Sequence, residues 1–277
     1  MSFSFALALL AASVVSADEA VTIMDARKDD SGFLIHEVCS QYQSKATLIR
    51  VLMPEKPEKG KQYPVVYVLP VEAGTENKYG DGLKEVQKLD LHNKRGVIFV
   101  APTFSQLPWY ADHPTKPELR QETYFLKVVV AYIDNNYPVR VGAEGRLLLG
   151  FSKSGWGAYS LLFRHPTLFG KAAAWDAPMM MDKPGKYGSG DIFGTAENFE
   201  GYRIDKHLER SAGKIGKEKR LILTGYGNFR AEHESAHALM DKWKIAHEYR
   251  DGPQLKHDWH SGWVKAAVEL LIEKPES

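Results

Sequence analysis

The chain has 277 residues, 44% of them apolar, which is enough for one sizeable core. Its 36 basic and 35 acidic side chains leave a net charge of +1 with no long single-sign run, so no nucleic-acid partner is expected. The single cysteine, Cys39, excludes an internal disulfide; in the alternating stretch "HEVCSQY" it is expected as a buried small hydrophobe.

The first apolar run, residues 5–15, is too short to span a bilayer. Val15 and Ala17 are small residues at the spacing a signal peptidase reads, although no Lys or Arg precedes the run. This predicts a signal peptide over residues 1–17 and a secreted or periplasmic single domain over residues 18–277. No later segment approaches transmembrane length.

Strand-like apolar runs then recur at Ala46–Met53, Val65–Leu69, Val97–Ala101, Arg146–Phe151, Ala172–Trp175, Arg220–Leu223 and Ala246–Tyr249. Helical patterns separate most of them, at Leu83–Asn93, Leu119–Asn135, Lys153–Arg164, Ala231–Lys244 and Trp263–Glu273. This alternation predicts an α/β fold, a mostly parallel sheet covered on both faces. Only the surface loop "MPEKPEKGKQYP" joins the first two runs, which are therefore expected as an antiparallel N-terminal edge. The segment Asp182–Arg203 follows a strand and is rich in Gly and charge, as pocket walls often are.

The stretch "GFSKSGWG" joins a strand to a helix and holds two serines. A nucleophile on such an elbow needs small residues two positions before and after it. Ser152 has Gly150 and Ser154 there, whereas Ser154 would have Ser152 and Trp156. The geometry selects Ser152, with the Lys153 amide at the helix start as an oxyanion donor. The base belongs after the last strand, where "GPQLKHDWHSGW" offers His257 and His260; His257 comes first on the loop and is preferred.

These motifs resemble the esterase D and feruloyl esterase-like branch of the α/β-hydrolases, which also holds acetylxylan and enterochelin esterases, S-formylglutathione hydrolase and the mycolyltransferases. The likeness runs through "YPVVYVLP", "WYADHP", "ETYFLKVVVAYIDNNYPVR", "LLLGFSKSGWGAYSLLFRHPTLFGKAAA" and "HEYRDGPQLKHDW". It implies the α/β-hydrolase fold, serine esterase chemistry without a cofactor, and His257 as the catalytic histidine. Two positions depart from the family pattern. His-Gly after the third strand is replaced by Pro70-Val71, which moves the second oxyanion amide to Val71 or Glu72, since Pro70 has no N–H. Glu72 would be unfavourable there unless its carboxylate turns away. The family's acid position after the seventh strand is held by Asn228, in "TGYGNFR". The acid is then Asp176, after "AAAW", or else Asn228 orients the imidazole without a charge.

Two other readings compete. His233-Glu234-Ser235-Ala236-His237 matches H-E-x-x-H, the zinc-hydrolase signature, but no third ligand follows at a familiar spacing and Trp243 stands where a histidine would. The bland alternative is an amphipathic helix with Ala236, Leu239, Met240 and Trp243 toward the sheet, so no metal is assigned. A degenerate hydrolase that only binds a ligand is the second, with Trp109, Tyr110, Trp156 and Trp259 as a sugar-stacking pocket. The leading expectation is hydrolysis of a small-molecule or carbohydrate carboxylic ester, with Ser152, His257 and Asp176 catalytic and Lys153, Val71 and Asn228 supporting.

Overall fold

The computed structural model describes residues 21–211, 215 and 218–273, so the expected signal peptide lies outside the described residues. Ten strands form one sheet: β1 (Thr22–Ile23), β2 (Arg27–Lys28), β3 (Leu34–Cys39), β4 (Thr47–Leu52), β5 (Val65–Val68), β6 (Ile98–Pro102), β7 (Arg146–Phe151), β8 (Lys171–Trp175), β9 (Leu221–Tyr226) and β10 (His247–Gln254). Their order is β1-β3-β4-β6-β5-β7-β8-β9-β10, with β2 also on β3. From β6 to β10 every pair is parallel, and β1 to β4 form an antiparallel edge.

The buried parallel strands read as unbroken apolar runs because both of their faces are covered. One face carries α3 (Gln121–Thr123), its π-helical continuation Tyr124–Val130, α4 (Ala131–Asn136), α5 (Ser152–Arg164) and α8 (Arg230–Lys242). Tyr124, Phe125, Trp156, Tyr159, Ala236 and Met240 belong to that face's core. The other face carries α1 (Gly82–Lys88), α2 (Leu91–Arg95) and α9 (Val264–Ile272), with Leu83, Val86, Leu91, Val264 and Val268 in its core. The segment after β8 is mostly irregular and contains α6 (Ala196–Glu200), followed by α7 (Ile204–Arg210). Among the described residues, no helix is long and apolar enough to cross a membrane.

Three sequence expectations change. The antiparallel edge is real, but β4 pairs with β3 and β6 rather than with β5, which the chain reaches next. The single helix expected over Leu83–Asn93 is two helices, because Asp90 takes a left-handed conformation with φ 57° between them. Cys39 is exposed: strand alternation turns Val38 into the core and leaves Glu37 and Cys39 outward.

The sheet brings five strand ends together. β5 and β7 pair in parallel with Val68 opposite Leu149, which carries residues 70–72 alongside 151–153. Phe151 lies opposite Trp175 on β8, so Ser152 and Asp176 leave neighbouring strands at the same level. β9 and β10 end beside them. Crevices at the carboxyl ends of parallel strands, where the strand order reverses, are where open α/β sheets bind ligands.

Candidate active site

Ser152 opens α5 in a left-handed conformation, φ 52°. A non-glycine residue in that region costs about 1–2 kcal/mol, so its neighbours must impose it. Ser154 Oγ accepts from the Phe151 N–H at 3.0 Å and donates to the Phe151 carbonyl at 2.9 Å, closing the turn. Ser154 is fully buried and works as a brace. Gly150 is required by close approach, since an added Cβ would stand 2.3 Å from the Ser154 carbonyl oxygen. Trp156, the other neighbour considered, is buried in the core. The Lys153 N–H lies in the first helical turn, which has no intrahelical acceptors for its donors. Burial pushes the Lys153 ammonium down, opposed by the attraction of Glu72.

Asp176 takes a similar conformation at the end of β8, with φ 41°, and is fully buried. Its Oδ2 lies 2.5 Å from His257 Nδ1. Its Oδ1 accepts the backbone N–H groups of Asn228 at 2.7 Å and Phe229 at 2.6 Å. Burial raises the carboxyl, but the bonds from His257 and from the amides of residues 227–229 outweigh it and hold the pKa below the usual value. The carboxylate is therefore ionised and can stabilise an imidazolium at His257. Gly227 permits the approach: a Cβ there would stand 2.6 Å from Asp176 Oδ2.

Asn228 supports this pair through its backbone, while the residue as a whole is exposed. His257 is packed edge-on against Phe151 and Tyr79, with ring centroids at 5.0 and 5.5 Å, and tilted against Phe229 at 6.0 Å. Among the described residues no hydrogen bond joins Ser152 to His257; in resting hydrolases that contact is often long and tightens around substrate. His260 is engaged elsewhere, with Nδ1 2.6 Å from Glu85 and Nε2 accepting from the Asp81 N–H at 3.3 Å.

Val71 is buried beside the elbow. Glu72 turns its carboxylate onto the N–H groups of Lys78 at 2.6 Å and Tyr79 at 3.2 Å, so it is occupied by main-chain donors. Tyr110, itself at φ 54°, donates its hydroxyl to the Pro70 carbonyl at 2.6 Å and ties down the segment leading to Val71.

The two competing site readings do not fit. Trp109, Tyr110, Trp156 and Trp259 are all buried, and Trp109 meets Trp156 edge-on at 5.5 Å; they are core, with no face for a sugar. The two histidines of H-E-x-x-H have separate partners. His233 is buried, and its Nε2 accepts from the Ala177 N–H at 2.8 Å, which braces the residue after Asp176. Burial lowers its pKa to about 4. His237 faces His247 at 2.7 Å, while Glu234 pairs with Arg230 at 3.1 Å. The helix does present Ala236 and Met240 to the core, with Leu239 and Trp243 partly buried.

The sequence reading missed Gly227, the amides of 228 and 229, Tyr79 and the brace from His233. The only local signal was the motif at 233–237, whose spacing pointed to a metal.

The order of the sheet, the helices on both faces and the elbow after β7 define an α/β-hydrolase. A family model described as "Putative esterase" matches residues 40–197, more than half of the chain, and the chain belongs to that family of carboxylic ester hydrolases. Similar solved structures include the substrate-bound fluorophosphonate-binding serine hydrolase FphF of Staphylococcus aureus, with 14% identity, a TM-score of 0.68, and 92% of this chain and 99% of that one covered. A ferulic acid esterase follows with 20% identity, a TM-score of 0.66 and coverage of 92% and 96%. An S-formylglutathione hydrolase from Agrobacterium tumefaciens has 15% identity, a TM-score of 0.66 and coverage of 92% and 99%. At these identities the likeness is one of fold. No curated protein matches the chain by sequence.

Proposed function

We propose that this esterase works by a Ser-His-Asp mechanism with Ser152 as nucleophile, His257 as base and Asp176 as acid. The observation that carries the reading is the contact of 2.5 Å between Asp176 Oδ2 and His257 Nδ1, beside the strained Ser152 elbow. A carboxylate only accepts, so His257 Nδ1 carries the proton and Nε2 is left as the base.

Ser152 Oγ attacks the ester carbonyl and its proton passes to His257 Nε2. The resulting oxyanion is held by the N–H groups of Lys153 and Val71. Collapse expels the alcohol, which takes the proton from His257 and leaves Ser152 acylated. Water then repeats the sequence: His257 removes its proton, the acyl group leaves as the carboxylic acid, and Ser152 is restored. These steps need no cofactor.

The substrate class is a small aryl or carbohydrate-linked ester. Phe229, beside His257, and the exposed Tyr187, 5.3 Å from Phe229, put aromatic surface next to the proposed base. Export, with cleavage after Ala17, belongs to the same reading and rests on the apolar run at residues 5–15.

The test is labelling with a fluorophosphonate followed by mapping of the modified residue. Label on Ser152, with loss of p-nitrophenyl acetate hydrolysis by about 10⁶-fold in Ser152→Ala, is the expected result. Full activity in Ser152→Ala would overturn it.

A further inference from the structure

We propose that His237, Asp241 and His247 form a binding site for a divalent transition metal of the zinc class, away from the catalytic carboxylate and serving to clasp α8 to β10.

The three side chains converge at the C-terminal end of α8 and the start of β10, and one ligand atom from each lies within 4.8 Å of the others. His247 is almost fully buried, and its Nδ1 is 2.8 Å from the Ile245 carbonyl oxygen. A carbonyl only accepts, so that nitrogen carries the proton and the lone pair is on Nε2. That lone pair points at His237 Nδ1, 2.7 Å away. Fixing a ligand histidine by a bond from its other nitrogen to a carbonyl is the usual outer-shell arrangement of metal sites.

His237 is also fixed. Its ring stacks on Tyr249 with centroids 4.1 Å apart, and its Nε2 lies 3.5 Å from Asp241 Oδ2. The other carboxylate oxygen, Oδ1, lies 3.9 Å from His247 Nε2. Two imidazoles and a carboxylate are a ligand set for zinc or its neighbours in the first transition row, not for calcium or magnesium.

The present 2.7 Å between nitrogens is a hydrogen-bond length. Bonds of about 2.05 Å in a tetrahedral site set the nitrogens about 3.3 Å apart, so the rings need open by only about half an ångström. The proton between the rings is what the metal replaces. With the metal on His237 Nδ1, the proton of that ring resides on Nε2, facing Asp241, and no proton need be lost. Asp241 is largely exposed, which leaves the fourth position to water.

The site spans residues i, i+4 and i+10 around the turn 243–246. β10 is the last strand of the sheet and, among the described residues, pairs only with β9. A metal here ties that edge strand to the helix packed over it. His233, the other histidine of the sequence motif, takes no part, since its Nε2 is committed to the Ala177 amide.

The test is calorimetric titration of zinc chloride into the full-length protein after EDTA treatment. One equivalent should bind with a Kd in the micromolar range, and saturating zinc should raise Tm by about 5 °C. His237→Gln and Asp241→Asn should each weaken binding tenfold or more and lose the Tm shift. Asp241 is exposed and distant from Ser152, so Asp241→Asn should keep wild-type ester hydrolysis, which separates lost binding from lost folding. Absence of binding to the wild-type protein at 1 mM zinc would overturn the proposal and leave the pair as a shared proton. Binding and a Tm shift unchanged in both variants would overturn it equally, by placing the zinc on other histidines. EDTA should leave ester hydrolysis untouched, so failure of this site does not bear on the Ser152 mechanism.

Discussion

The chain turns sharply at the ends of two adjacent strands, and it enforces the two turns differently. Ser152 and Asp176 follow residues that face each other across β7 and β8, and both take a left-handed conformation that side chains ordinarily avoid. The serine turn is held locally: the Ser154 hydroxyl bonds Phe151 twice, and Gly150 lets the helix close in. The aspartate turn is held from a distance of more than fifty residues, by the amides of Asn228 and Phe229 and by His233 on Ala177. Strain at a functional position persists only where its surroundings over-determine it. Here one site uses a self-contained brace and its neighbour a tertiary one.

The sharpest way to break the comparison is to remove the charge from the distal turn. Asp176→Asn should lower kcat by up to about 10⁴-fold with the fold intact, because the imidazolium loses its counter-charge. Asn228→Ala should leave kcat near wild type, since residue 228 contributes an amide that alanine also has, and Asn228→Asp should bring no gain. Steady-state kinetics on p-nitrophenyl acetate for the three variants checks this. A rise in Asn228→Asp would mean that the charge is missing from Asp176.

The two turns should also differ in their response to acid. Burial lowers the pKa of His233 from 6.5 to about 4. Between these values the unfolded chain is protonated at this position and the folded chain is not, so stability falls as pH drops from 6.5 and levels off near 4. The full loss is on the order of 3 kcal/mol. Asp176, held below its ordinary carboxyl value, adds a further loss in the same direction at lower pH, as the folded carboxylate is protonated. The serine turn has no titrating brace. Urea midpoints measured from pH 7 to pH 4 should fall in the wild type and fall clearly less in His233→Gln.

The smallest effect is expected at the local brace. Ser154→Ala removes two short-range bonds but leaves Gly150, so it should cost about 1 kcal/mol of stability and keep most of the activity. Thermal unfolding alongside an esterase assay measures both.

Much of the serine turn could be read from the sequence because its determinants are contiguous. "RLLLGF" marks β7 residue for residue, and small residues around Ser152 separate it from Ser154. The sequence leaves Asp176 open against Asn228 because the amides that hold it come from just beyond β9, and an amide leaves no trace in a side-chain pattern. In the sequence only loop position ranks His257 over His260, and the structure separates them by their carboxylate partners, Asp176 and Glu85. The motif at 233–237 does not reveal the role of His233, because spacing on a helix says which residues share a face, not what covers each end of it. One histidine meets the Asp176 turn and the other meets β10. The pairing of β4 is likewise decided by neighbours distant in the chain.

The way Asp176 is anchored also decides which parts of this enzyme can vary cheaply. Because its carboxylate is gripped by main-chain N–H groups, the side chains at 228 and 229 carry no duty toward the acid. Under the proposed mechanism they can vary without removing the amides that hold Asp176, although Phe229 also packs against His257 and meets Tyr187 on its other side. In the proposed mechanism the backbone of this short loop serves the acid, and its side chains are left to meet the substrate. A lineage, or a mutagenesis library restricted to positions 187, 228 and 229, can explore new acyl groups without first surviving the loss of its chemistry.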